Sequence, residues 1–217
     1  MGWILRTFKT REPLPMLTLY KSLVVPLLEY CCQLWSPATP GDIRKIEAVQ
    51  RTFTYRISGC RHFTYWQRLQ ELHLYSLQRR RERYTILYVW KIGAGLVTND
   101  VDLQFTNNAR RGCLCNITRV NPRALTRVKT IKTNSFATRG PTLFNCLPKA
   151  LRSQFDITLN SFKTKLDKFL QAIPDEPNLP HYHSRATTNS IVEWLSIATA
   201  DGDFHLYEAA PQRDLEA

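Results

Sequence analysis

Arginine is the residue type whose clustering points most directly to chemistry in this sequence. Four arginines stand close together, Arg79, Arg80, Arg81 and Arg83. A guanidinium binds phosphate oxygens in a bidentate fashion and stacks on bases. These residues fall in the first two turns of a predicted helix over about 76–92, where cations oppose the helix macrodipole. A cluster that is unfavourable for its own helix indicates a binding role, so we predict that this Arg79 cluster faces backbone phosphates.

Two further groups of cations carry the same prediction. On a second predicted helix, Arg44, Lys45 and Arg51 lie mostly off the apolar stripe. Residues 103–155 then carry ten basic and no acidic side chains. Such an excess of positive charge indicates a polyanionic partner. The alternative is a solvated basic face that serves solubility alone. We predict that a second phosphate-facing patch, the 110–132 patch, consists of Arg110, Arg111, Arg119, Arg123, Arg127, Lys129 and Lys132.

Cations and aromatic side chains alternate in one short segment, residues 61–68. This mixture can clamp phosphates and stack on unpaired bases. The alternative is that Phe63, Tyr65 and Leu69 belong to the core. We expect both, with aromatic rings inside and the side chains of Arg61 and Arg68 facing a duplex or a partner.

Enzyme constellations are missing from the sequence. It contains no Gly-rich phosphate loop and no G-x-S-x-G motif. Asp100 and Asp102 fit a turn better than a magnesium site. A zinc site would have to be assembled from residues without zinc-binding spacing, so buried or free thiols are the favoured interpretation. The sequence therefore predicts no cofactor, no metal and no small-molecule substrate; the zinc alternative would use Cys113, Cys115, Cys146 and His62.

Composition sets the class of protein. The 217 residues include 5 Trp, 9 Tyr and 10 Phe, which is too aromatic for a disordered chain. No apolar run is long enough to span a membrane, and no signal-peptide core is present, so we expect an intracellular protein without membrane contact. The net charge is +12, distributed as +18 over residues 1–172 and −6 over residues 173–217. The basic part is thus expected to bind an anion.

The elements that would position these residues are mainly α-helical. Pro26 is expected to kink or end the first segment, and Asp42 to cap the helix that Ser58 and Gly59 end. A strand near 113–117 could pair with 128–136 as a hairpin. The predicted core includes Leu23, Trp35, Ile43, Ile46, Val49 and Tyr84. The predicted helices cover about 14–28, 42–57, 65–72, 76–92, 159–172 and 190–198.

Several motifs together resemble one family. They include Leu17-Thr-Leu-Tyr-Lys-Ser-Leu-Val24, Leu28-Glu-Tyr-Cys31 and Trp35-Ser-Pro37. Further along are Ile46-Glu-Ala-Val-Gln-Arg51 and Phe144-Asn-x-Leu-Pro148. Each is weak alone, but together they cover most of the chain. The sequence resembles the end of the reverse-transcriptase region of non-LTR retrotransposons, of the LINE-type jockey/CR1-like group.

The resemblance implies a position after the catalytic palm. The family's polymerases hold two magnesium ions on palm carboxylates that include an Asp-Asp motif, and this sequence contains no Asp-Asp dipeptide. We therefore expect a chain that is not an enzyme. The resemblance also implies a nuclear location if the family role is retained. It further implies a helical thumb-like region over 1–95, a basic C-terminal extension over 96–172 and a loosely packed acidic linker and tail over 173–217.

The expected partner is RNA or an RNA–DNA duplex, gripped through its phosphate backbone. The rival interpretation is a protein-interaction or self-associating helical module, because a fragment separated from its neighbours would expose apolar surface. The tail could also mask the basic part; deleting residues 174–217 would then tighten nucleic-acid binding.

Overall fold

The computed structural model describes residues 2–119, 121–177 and 189–200, the last four of these by their backbone alone. The chain divides into two compact units. Unit 1 is Met1–Arg81 with Asp175–Asn189, and unit 2 is Glu82–Pro174 with Ser190–Ala217. The boundary between the units lies between Arg81 and Glu82, inside one helix over Leu77–Gly93.

Unit 1 is built from short helices. Its core contains Ile4, Met16, Tyr20 and Phe53, which are at most 1% exposed. Residues 14–28 are not one kinked helix but two α-helices joined by a π-helical turn, Tyr20–Val24. The helices of this unit are α1 (Gly2–Thr7), α2 (Pro13–Leu19), α3 (Val25–Glu29), α4 (Pro40–Thr54), α5 (Tyr65–Glu71) and the start of α6 (Leu77–Gly93).

Helix α4 begins earlier than predicted, and its buried face is only partly the predicted one. Thr39, not Asp42, is its N-cap, because the Thr39 hydroxyl accepts from the Asp42 amide at 3.2 Å. Of the predicted apolar stripe, Phe53 and Ile57 are fully buried, whereas Ile43, Ile46 and Val49 are half-buried. The helix also buries the polar side chains of Glu47, Gln50 and Thr54. Hydrogen bonds within unit 1 satisfy the buried polar side chains of this face, so the hydrophobic pattern alone could not identify it.

Several apolar side chains between residues 23 and 35 are exposed. Leu23 and Trp35, both predicted as core, are 39% and 45% exposed. Leu27, Tyr30 and Leu34 are more exposed still, at 77%, 73% and 84%. These last three lie within eight residues of chain, and we call them the Leu27 surface.

Unit 2 contains the remaining helices and a two-stranded hairpin. Strand β1 (Phe105–Asn108) pairs antiparallel with β2 (Gly112–Cys115), with Phe105 opposite Cys115. The predicted pairing of 113–117 with 128–136 is wrong, because residues 126–134 are helical. The helices are the rest of α6, α7 (Thr126–Asn134), α8 (Phe136–Asn145), α9 (Lys149–Arg152), α10 (Leu159–Ala172) and α11 (Ile191–Ala200).

The core of unit 2 is organised around Trp90. Its ring is fully buried and stacks on Phe162 with ring centroids 4.5 Å apart. Its indole nitrogen donates to the Gln154 carbonyl at 2.8 Å. Tyr84, predicted as core, is half-buried against this cluster. Helices α6 and α10 each contribute several of these side chains, and both were predicted within one residue of their observed bounds.

The start of the predicted acidic tail is well packed, which corrects the expectation of a loose attachment. Ile191 and Leu195 of α11 belong to the core of unit 2, at 0% and 5% exposed. Asp175 and Asn189 make hydrogen bonds inside unit 1. Residues 178–188 and 201–217 lie outside the described part of the chain.

The fold class is mainly α with a small β-hairpin, as the sequence predicted. Among the described residues, no helix is both long enough and apolar enough to cross a membrane.

Candidate nucleic-acid interface

Two members of the Arg79 cluster are buried, which corrects their predicted exposure. Arg79 is 0% and Arg81 is 3% exposed. The Arg81 guanidinium donates to the Leu28 and Trp35 carbonyls and lies 4.0 Å from the centroid of the Trp35 ring. Burial lowers the pKa of Arg81. These side chains hold unit 1 together and do not face a phosphate backbone.

The other two members are committed to carboxylates. Arg80 pairs with Glu29 in unit 1. In unit 2, Arg83 pairs with Asp167 in a bidentate geometry, with nitrogen–oxygen distances of 2.5 and 2.8 Å. Both arginines are half-buried. The cluster was predicted to bind phosphate because its cations oppose the macrodipole of their own helix, and the structure shows acidic partners that are distant in sequence.

Two acidic side chains satisfy backbone amides at the start of α6. Asp175 accepts from the amide of Ser76 at 2.6 Å and from its hydroxyl at 2.7 Å. Glu47 accepts from the amide of Gln78 at 2.9 Å. The Asp175 carboxylate also places a negative charge at the helix N-terminus, which offsets part of the cost of the cations there.

The cations of α4 are mixed in their exposure. Lys45 projects into solvent and pairs with Asp42 at 3.0 Å. Arg44 is half-buried and donates to the Pro40 carbonyl. Arg51 is half-buried, with its guanidinium 4.8 Å from the centroid of the Tyr65 ring. Of the three, Lys45 is therefore the one best placed for an outside partner.

The alternating segment 61–68 also has a buried cation. Arg68 is 5% exposed and donates to the Phe63 carbonyl at 2.7 Å. Burial lowers its pKa. Arg61 and His62 are exposed. The aromatic part of the prediction is correct for Tyr65, whose ring lies in the core of unit 1, whereas Arg68 does not face outward.

The cations of the 110–132 patch are mostly exposed, in contrast to those of the Arg79 cluster. All seven of its cations lie in unit 2, and all except the half-buried Lys129 are exposed. None makes an ion pair within the part of the chain that the structure describes. They are placed by the hairpin turn, by the segment that follows β2 and by α7: Arg110, Arg111, Arg119, Arg123, Arg127, Lys129 and Lys132.

Hydrogen bonds attach the hairpin to α8 and α9. The Asn145 side chain accepts from the Cys115 amide at 2.9 Å and donates to the Cys115 carbonyl at 2.8 Å. Lys149 donates to the Ala109 carbonyl and Arg152 to the Arg111 carbonyl, each at 2.8 Å. These bonds fix the turn that presents Arg110 and Arg111. Sequence analysis placed the turn residues in the patch but did not identify Lys149 and Arg152 beside them.

Gly112 permits this close approach. Its φ is +73°, and an added Cβ would lie 2.7 Å from both the Lys149 Cγ and the Ser153 Oγ. We expect Gly112→Ala to lower the free energy of unfolding by about 2–4 kcal/mol, combining left-handed strain with overpacking. Gly95→Ala is the matched control, because Gly95 has a φ of +70° but nothing within 4 Å. Urea denaturation should show the smaller loss for Gly95→Ala; equal losses would refute the close-approach argument.

The described residues contain no group of three or more His, Cys, Asp or Glu side chains that could hold a metal ion. Burial raises the pKa of the Cys115 thiol to about 12 and that of Cys146 to about 11. These thiols are therefore protonated at neutral pH and poor nucleophiles.

One known protein supports part of the resemblance. No protein-family model matches the chain, and no solved structure matches it. The chain is similar to the "Probable RNA-directed DNA polymerase from transposon X-element" of Drosophila melanogaster, with 33% identity over 61 residues. The match covers 28% of this chain and 7% of that protein. It supports a relationship to retrotransposon reverse transcriptases.

The same match corrects the expectation that the chain is not an enzyme. The protein that it resembles is an RNA-directed DNA polymerase, which is an enzyme. The lack of an Asp-Asp dipeptide does not weigh against this, because the similarity covers 7% of that polymerase.

Proposed function

We propose that this chain is a segment of a retrotransposon RNA-directed DNA polymerase, from the region that follows the palm. In this proposal it grips the backbone of RNA or an RNA–DNA duplex through the 110–132 patch. The supporting observation is the exposure of these cations in a stretch, residues 103–155, that has no acidic side chain. Phosphate contacts of this kind position a duplex without reading its sequence.

The Arg79 cluster is left out of this interface. Its members are buried or paired with carboxylates, so their substitution would unfold the protein before it revealed a binding defect. Variants of the exposed patch are the appropriate test, because surface substitutions usually change stability by less than about 0.5 kcal/mol.

The test compares two variants that each lose five exposed positive charges. The patch variant replaces Arg110, Arg111, Arg123, Arg127 and Lys132 with Gln. The control variant replaces Arg6, Lys9, Lys21, Arg56 and Lys168 with Gln. The affinity for a blunt-ended RNA–DNA duplex is measured by fluorescence anisotropy at several salt concentrations.

For the unmodified chain we expect a log–log salt slope steeper than about −3, since each neutralised phosphate contributes about −0.9. The patch variant should lose about 100-fold in affinity at low salt and have a shallower slope. The control variant should change much less. Equal losses in the two variants, or no binding by a folded chain, would refute the proposed grip.

A second candidate function is self-association or protein binding through the Leu27 surface. The observation in its favour is the high exposure of Leu27, Tyr30 and Leu34. Apolar contacts depend weakly on salt, whereas phosphate contacts depend on it steeply. Self-association that persists at high salt, together with a flat binding slope, would favour this function over the first.

Deletion of residues 174–217 is not a clean test of masking by the tail. It would remove Asp175 from unit 1 and the buried Ile191 and Leu195 from unit 2.

A further inference from the structure

Unit 2 contains a pocket of about 600 Å³ beside the hairpin turn. Its walls come from the turn, from the segment 145–152 and from α11. The volume lies within the roughly 300–1,000 Å³ range of small-ligand sites. Every lining residue belongs to unit 2.

Basic and apolar side chains both line the pocket, and we call these two sets its cationic wall and its apolar wall. Its basic residues are Arg110, Arg111, Lys149 and Arg152, and none of the described lining residues is acidic. The apolar wall includes Leu114, Leu147, Val192 and Leu195. A ligand that fits both walls carries a negative charge on one side and a flat or apolar body on the other.

Arg152 is the side chain that points most strongly to an anion. It is 8% exposed, yet within the described residues its buried Nε has no hydrogen-bond partner. One terminal nitrogen donates to the Arg111 carbonyl at 2.8 Å. A buried cation without an acidic partner is costly. Burial accordingly lowers the pKa of Arg152, and an anion in the pocket would relieve this cost.

The pocket is suited to binding and not to covalent chemistry. Cys146 lines it, but burial and the nearby Glu82 carboxylate raise the pKa of its thiol to about 11. The Glu82 carboxylate accepts from the Ile191 amide at 3.0 Å and is not among the lining residues. The pocket therefore offers fixed positive charge and apolar surface.

We propose that this pocket binds one unpaired nucleotide of the strand that the 110–132 patch holds, with its phosphate at Arg152 and Lys149 and its base against Leu114 and Leu147. This inference rests on the proposed function, because the patch delivers the strand to the pocket. Arg110 and Arg111 belong to both surfaces and connect them. Inorganic phosphate alone would satisfy the cations but leave the apolar wall uncovered, so the ligand is a nucleotide and not a simple anion.

The experiment uses the full chain and three probes. The first is the blunt RNA–DNA duplex, the second is the same duplex with a three-nucleotide single-stranded overhang, and the third is adenosine monophosphate. We expect the overhang to bind about tenfold more tightly than the blunt duplex, the size expected when one base is buried and one phosphate gains a charge-assisted contact.

One variant removes the apolar wall and another serves as its control. Leu114→Ser changes a half-buried lining residue, whereas Leu125→Ser changes a residue that is 78% exposed and does not line the pocket. We expect Leu114→Ser to abolish the tenfold preference while blunt-duplex affinity stays within about twofold. Leu125→Ser should retain the preference. Thermal unfolding of both variants verifies that they are folded. If Leu114→Ser is not folded, Val192→Ser replaces it, because Val192 is also a half-buried apolar residue that lines the pocket.

The outcomes separate the two proposals. Equal, salt-dependent binding of blunt and overhang duplexes by the unmodified chain would overturn the pocket and leave the backbone grip intact. A preference retained by the folded pocket variant would also overturn it. If neither duplex binds, the backbone grip fails, and calorimetry with adenosine monophosphate decides the pocket: no saturable binding overturns it, and binding lost in Lys149→Gln supports it.

Discussion

Replacing Asp175 with alanine is expected to lower the free energy of unfolding by about 3–5 kcal/mol, the range for removing one partner of a buried ion pair. The carboxylate lies 3.8 Å from the Nε of Arg79, which is fully buried. It also accepts from the Ser76 amide and hydroxyl at the start of α6. The substitution therefore removes a charge partner and a helix cap together.

Two controls separate these effects. Asp175→Asn keeps an oxygen that can accept from the Ser76 amide but removes the charge opposite Arg79, and its loss should be smaller, about 1–3 kcal/mol. Glu71→Ala removes an exposed carboxylate at the end of α5 and should cost less than about 0.5 kcal/mol. Urea denaturation gives all three values. A loss below about 1 kcal/mol for Asp175→Ala would show that this carboxylate does not support α6.

A loss of stability in Asp175→Ala would support a structural role for Arg79 in place of the phosphate-binding role that its clustering suggested. Arg79, Arg80 and Arg81 were assigned to phosphate binding because cations at the start of a helix oppose its macrodipole. Their partners lie far away in sequence, at Glu29 for Arg80 and at Asp175 for Arg79. A single sequence gives no sign of such pairings, so charge clustering could not distinguish a structural arginine from a binding one.

Predictions of the fold succeeded where local signals agree. Helix α5 has a capping box between Thr64 and Gln67, and α10 has an apolar face with Phe162 and Leu166, so both were located correctly. The hairpin partner was wrong because β1, Phe-Thr-Asn-Asn, has no alternating apolar pattern. Bonds from Asn145 to the partner strand β2, which hold the hairpin in place, are tertiary and have no local sequence signal.

In the candidate site, too, features with a local sequence signal could be predicted and features formed by tertiary contacts could not. The exposure of most cations in the 110–132 patch could be expected, because a long stretch without acidic residues has no local carboxylate to neutralise it. The pocket could not, because it is formed when α9 and α11 approach the turn that carries Arg110 and Arg111. Neither Lys149 nor Arg152 stands out from its neighbours in the sequence.

A buried acid in unit 1 provides the second large effect. Glu47 is 5% exposed, and its carboxylate accepts from the Tyr65 hydroxyl at 2.5 Å and from the Gln78 amide at 2.9 Å. The Tyr65 hydroxyl in turn accepts from Gln50 at 3.2 Å. Desolvation outweighs these bonds, helped by the negative charge of Asp175, and raises the pKa of Glu47 to about 7.

Stability should therefore fall as the pH rises through this range. In the unfolded chain Glu47 ionises near pH 4.5, whereas in the folded protein it keeps its proton until about pH 7. Between these values the folded state binds more protons, so raising the pH favours unfolding. At about 1.36 kcal/mol per pH unit, the contribution lost is about 3 kcal/mol, and it stays lost above pH 7.

Glu47→Gln isolates this contribution, because a neutral amide can still accept from the Gln78 amide and donate to the Tyr65 hydroxyl. We expect the stability of Glu47→Gln relative to the unmodified chain to rise by about 3 kcal/mol between pH 4.5 and pH 7 and then to level off. Urea denaturation of both proteins across pH 4.5–8.5 measures this difference in stability. The histidines are common to both proteins, so any pH dependence that they contribute drops out of the difference. The same measurement on Glu71→Gln is the matched control, because Glu71 is an exposed glutamate of the same unit. A flat profile for Glu47→Gln would mean that the folded protein accommodates the Glu47 carboxylate in its charged form without cost.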